Sequence, residues 1–131
     1  MRTLFLYVRK ENGASSAEFA LVLLPFTAMV FGIIGGAMMF YANQSLQYAT
    51  EAAARYYSVQ TTNANGTPPS TTAVQNYANN AYTGPGISPT FTPARGGCGA
   101  NGFQVTGTAT IPLNTGVYNT SVTLRSHACF P

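Results

Sequence analysis

Glu18 is the side chain that most needs a chemical explanation. It stands at the head of a stretch, Phe19 to about Tyr41, that contains no other charge. A carboxylate at the centre of a membrane helix costs about 2.5 kcal/mol or more on insertion scales, so such groups are normally paired or functional. Five residues before it lies Gly13, followed by the small residues Ala14-Ser15-Ser16-Ala17. Peptide hydrolysis after Gly13 would free an α-amino group on Ala14, about one helical turn from Glu18, at a helix end that already attracts negative charge. The cut would therefore create the cation that the acid lacks. The residues support a second reading, in which Glu18 sits at headgroup level beside Arg9 and Lys10 in an uncut anchor.

The element that must position this site is a long helix. Phe19 to Tyr41 can cross a hydrocarbon core of about 30 Å at 1.5 Å per residue. A signal-peptide core is shorter and has its small residues on the far side; here they precede the apolar run, so the span is expected to stay in the mature protein. Arg2, Arg9 and Lys10 lie before the span, and only Arg55, Arg95 and Arg125 after it. The positive-inside rule then places the N-terminus in the cytoplasm. The formal charge is +3, but residues 1–13 hold three bases and one acid. The chain beyond Gly13 carries about +1, without a basic stripe, and nucleic-acid binding is not expected. The leader holds Leu4-Phe5-Leu6-Tyr7-Val8, apolar enough for contact with a membrane surface before any cleavage.

Glycine, four small residues, Glu18 and Phe19, then Ala20-Leu21-Val22-Leu23-Leu24-Pro25 and, further on, Glu51-Ala52-Ala53-Ala54-Arg55-Tyr56 occur in a telling order. The stretch from about Arg9 to Tyr57 resembles TadE-like minor pilins of the Flp-type, tight-adherence branch of type IV pilus systems. The resemblance implies cleavage between Gly13 and Ala14 by a membrane-embedded prepilin peptidase. It further implies an assembly role for Glu18 and Phe19, and partnership with other pilin subunits and the Tad assembly machinery of a bacterial inner membrane. The head would lie in the periplasm, or outside the cell once the pilus is assembled. A major pilin is a rival within the same system, although major Flp pilins are much shorter. An uncleaved single-pass protein with a partner-binding head is the rival outside it.

Pro25 removes one helical donor, which membrane helices tolerate where neighbours satisfy the freed carbonyl. Gly32 and Gly36 form a GxxxG pair on which another helix could pack closely. Beyond Tyr41 the helix is expected to continue as a stem, with an apolar stripe of Leu46, Ala49, Ala53 and Tyr57 at three- and four-residue steps. Glu51 and Arg55 are spaced as a solvated ion pair worth about 0.2 to 0.5 kcal/mol. Tyr48, Tyr56 and Tyr57 receive no chemical role.

The expected organisation is a leader over 1–13, membrane helix and stem over 14–58, linker over 59–72 and an α+β head over 73–131. Thr72 with Gln75 fits a capping box for a short helix, Ala73 to Tyr82, ended by Gly84-Pro85-Gly86. Phe103, Val105 and Thr106 to Ile111, then Val117 and Ser121 to Arg125, read as strands with a turn at Asn114-Thr115-Gly116. Ile87 to Thr92 reads as an edge strand weakened by Pro89. The head, about seventy residues, is small for an independent core. A Cys98–Cys129 disulfide on the extracytoplasmic side would stabilise it by roughly 3 to 4 kcal/mol in the chain-entropy model.

A metal site of Cys98, His127 and Cys129 is the alternative, but it lacks a fourth ligand and any CxxC pair; His127 is better read as a partly buried hydrogen-bonding residue. Asn65-Gly66-Thr67 and Asn119-Thr120-Ser121 match the glycosylation triplet, as chance allows in a chain this rich in Asn and Thr. No carboxylate falls in the head, and no nucleophile elbow, P-loop or dinucleotide turn is present. No catalytic residue, metal or cofactor is therefore expected, and the chain is not read as an enzyme.

Overall fold

A computed structural model describes the backbone of residues 2–99, 102–114 and 119–131, and the side chains of 15–99, 102–112 and 119–131. The fold is α+β. Helix α1 (Arg2–Asn63) is followed by α2 (Thr71–Ala81) and three strands, β1 (Thr90–Arg95), β2 (Phe103–Asn114) and β3 (Asn119–Phe130). The chain divides into two compact units, Met1–Met38 and Met39–Pro131, and α1 contributes to both.

In the second unit the expected stripe is buried: Leu46, Ala49, Ala53 and Tyr57 form the helical side of the core. Three- and four-residue steps keep these side chains on one face, and the alanines let a sheet come close. The strands make an antiparallel meander in the order β1-β2-β3. Period-two alternation turns Phe103, Val105, Gly107 and Ala109 of β2 towards the helix. Ser126 and Ala128 of β3 continue the same face, opposite Gly107 and Val105. Val74 and Ala78 of α2 close the core, and the Gln75 amide donates to the Phe91 carbonyl at 3.0 Å, tying α2 to β1.

Gly107 marks the closest approach of sheet to helix. A Cβ built there would lie 2.6 Å from Thr50 Oγ1, 3.0 Å from Phe91 Cε1 and 3.2 Å from Leu46 Cδ1. Phe91, the register partner of Gly107 in β1, fills the space that glycine leaves, and is only 1% exposed. Overpacking of this kind typically costs about 1 to 3 kcal/mol, so Gly107→Ala should lower the denaturant midpoint of the head. Adding Thr50→Ala should restore part of that loss, a coupling that a double-mutant cycle reads directly.

Several boundaries differ from those expected. The first helix runs to Asn63 rather than 58, because Thr61 is buried and both Thr61 and Thr62 bond back to carbonyls one turn earlier, at 2.7 and 3.0 Å. It ends at Asn65-Gly66, both at positive φ, where glycine costs nothing and asparagine little. The N-cap of α2 is Ser70, not Thr72: its hydroxyl accepts from the Ala73 amide at 3.2 Å. Gln75, engaged with Phe91, does not act as the partner of a capping box.

The edge strand begins at Thr90, after Pro89, and carries Pro93 on its outer-strand position, where a missing donor is tolerated. Strand β3 extends past Arg125 to Phe130, since Ser126 and Ala128 gain burial there. Asn114 pairs with Asn119; Thr115, Gly116 and Val117 lie outside the described residues. Burial raises the Tyr82 phenol above its ordinary 10.0, with a further push from Tyr41. The folded head thus holds this proton more tightly than the unfolded chain, so its stability should fall as pH rises past about 10, as alkaline urea titrations would read.

Candidate functional site

The first unit is built for lipid or for other helices. From Ser15 onwards α1 is apolar and long enough to cross a membrane, and its most apolar stretch has no buried residue. Phe19, Leu21, Leu24, Phe31 and Ile33 are all more than half exposed, and they point to every side of the helix. A helix that is hydrophobic all round and uncovered by its own chain belongs in a membrane or among other helices.

Glu18 is exposed at the N-terminal end of this surface, beside Phe19. No charged residue occurs between Glu18 and Glu51, so a counter-charge must come from the chain before it or from another molecule. Gly13 and Ala14 lie in helical backbone; hydrolysis of the bond between them requires that turn to open. Glycine makes the opening easier, by about 0.5 to 1 kcal/mol relative to alanine.

Helix α1 continues through Pro25. The Thr27 hydroxyl donates to the carbonyls of Leu23 and Leu24, both at 2.9 Å, close to the carbonyl that Pro25 deprives of its donor. Gly32, Gly35 and Gly36 have nothing within 4 Å of an added Cβ. Gly32 and Gly36 share one face at a four-residue step and leave a shallow, uncovered seat for a second backbone. Gly35 widens it.

In the second unit the disulfide is formed: Cys98, in the turn after β1, joins Cys129 of β3, with Cα atoms 5.8 Å apart and a separation of 31 residues. Both sulfurs are thus consumed, and the metal alternative with His127 loses its thiolates. His127 is exposed on the outer face of the sheet, opposite Thr106, rather than partly buried. Among the described residues no group of three His, Cys, Asp or Glu side chains is placed to hold a metal. Glu51 and Arg55 are both exposed on α1, at the edge of an open groove that the sequence alone did not reveal.

No curated protein and no solved structure matches the chain. Residues 13–55 match a family model, that of TadE-like proteins. The matched stretch holds Gly13, Glu18, Pro25, the Gly32–Gly36 pair and the Glu51-Ala52-Ala53-Ala54-Arg55 segment. Over that stretch, about a third of the chain, the sequence is similar to TadE-like proteins.

Proposed function

We propose that this protein is a minor pilin-like subunit of a Flp-type, tight-adherence pilus. A prepilin peptidase cuts between Gly13 and Ala14, and the mature subunit leaves the inner membrane to join other pilin subunits in a filament that serves surface attachment. The observation that carries this reading is the lone Glu18, exposed at the head of an uncovered apolar helix within the TadE-like stretch. In an assembly of packed helices a new N-terminal amine, its own or a neighbour's, would neutralise that carboxylate. The uncovered glycines at 32, 35 and 36 would let the helices approach.

A pilus subunit of low copy number should appear in sheared filaments well below the main pilin. Quantitative mass spectrometry of sheared pili would test this: substoichiometric recovery supports the reading, equal recovery makes the chain a major pilin, and absence removes it from the filament. The continuous helical backbone through Gly13 favours one other reading, an uncleaved single-pass protein whose head binds a partner. In that case Glu18 would remain beside Arg9 and Lys10 at the headgroups.

A further inference from the structure

The second unit carries a groove of about 570 Å³, within the size of small-molecule sites, about 300 to 1,000 Å³. One wall is a face of α1 that lies beside the buried stripe: Tyr48, Glu51, Arg55 and Tyr56 recur at helical spacing. The other wall brings Tyr77 from α2 and Phe130 from the end of β3. Tyr56 and Tyr77 stack with centroids 4.4 Å apart and planes within 9°, so two of the four rings are held rigidly by each other. Tyr48 is 65% exposed, Tyr77 43% and Phe130 39%. Four aromatic rings gathered at one open groove offer flat apolar faces on which a ligand can stack.

We infer that this groove binds a neutral oligosaccharide. Its lining has one acid and one base, so it selects neither anions nor cations, and it offers no basic excess to a nucleic acid or an anionic lipid surface. The C–H faces of a hexose are apolar and flat enough to lie on tyrosine and phenylalanine rings. Its hydroxyls are both donors and acceptors, and Glu51 accepts where Arg55, one turn on, donates. Charge-assisted bonds of this type are about twice as strong as neutral ones. The groove is open rather than enclosed, which leaves room for more than one sugar ring. The groove lies wholly in the second unit, so its binding does not depend on incorporation into a pilus.

The test uses the full chain in phosphatidylcholine nanodiscs, since glycoside detergents would compete for the groove. Maltotriose, cellotriose and N-acetylchitotriose are titrated by calorimetry, and the bound face of each is read by saturation-transfer NMR. At least one should saturate with a dissociation constant of about 1 mM or tighter. Tyr48→Ala and Glu51→Gln, both exposed positions, should each weaken binding about tenfold, the scale of one lost stacking or charge-assisted contact, with the thermal midpoint unchanged. Absence of saturable binding by all three sugars would overturn the inference, as would binding that neither variant weakens. So would a Tyr48→Ala variant whose only change is reduced self-association in sedimentation, which would make the groove a contact between copies of this chain.

Discussion

Glu18→Ala should insert into the membrane at wild-type level and be missing from filaments. The substitution removes the only charge between Glu11 and Glu51 and so lowers the cost of holding the helix in lipid, by less than the ~2.5 kcal/mol of a charge at a helix centre, because Glu18 stands at the end of the apolar run. On the proposed function, what it loses is the acid that would answer a free amine when helices pack. In a water-poor helix bundle an unpaired ammonium is strongly unfavourable, and leaving one partner of such a pair behind costs about 3 to 5 kcal/mol. That corresponds to a loss of more than about a hundredfold in incorporation. Glu18→Gln keeps the shape and drops the charge, and should fail in the same way. Immunoblots of membranes and of sheared filaments read both quantities in one culture. Normal incorporation of Glu18→Gln would show that the charge has no part in assembly.

The second large effect belongs to the disulfide. Among the described residues, the strands and helices of the second unit bury few large side chains; Phe91, Leu46, Val74 and Val105 are the largest apolar ones fully enclosed. Much of the helical contribution is alanine, which buries little area. A head of this kind has a small margin, and the Cys98–Cys129 bridge restricts the unfolded chain by closing a loop across 31 residues. Removing it should cost roughly 3 to 4 kcal/mol, enough to lower the melting temperature by roughly 12 to 30 °C in a domain of this size. The paired substitution Cys98→Ser with Cys129→Ser isolates the effect from free-thiol chemistry. Thermal unfolding followed by circular dichroism, with and without reductant, checks it. The wild-type protein should approach the variant's midpoint only when reduced, and a variant that melts within a few degrees of the oxidised protein would mean that packing alone carries the head.

The features legible in the sequence were those encoded by local spacing or by residue pairs with one sensible partner. Leu46, Ala49, Ala53 and Tyr57 announce a buried helical face because 3.6-residue periodicity leaves them no other common direction. Cys98 and Cys129 are the only two cysteines, so their bridge could be read without knowing the fold. The α+β class followed from the change of period after Phe103.

Less legible was whatever depends on which elements meet. Ser70 caps α2 although Thr72 has a better-looking partner at 75, since the Gln75 amide is drawn to a strand sixteen residues away. Gly107 looks like a weak point in β2 until Thr50 and Phe91 are placed against it. Strand β3 runs five residues past its β-branched portion because Ser126 and Ala128 complete the core. The groove is the clearest case: Tyr48 and Tyr56 are one helix face, but Tyr77 and Phe130 arrive from α2 and the end of β3, and no spacing rule links them.

The measurement that bears most directly on the proposed function is the N-terminal sequence and intact mass of the protein, taken from its own membranes with and without the prepilin peptidase. The expected result is a chain that starts at Ala14 only when the peptidase is present. A chain that starts at Met1 in both samples would contradict the proposed function: Glu18 would never meet a new amine, and the protein would be a membrane-anchored binding module.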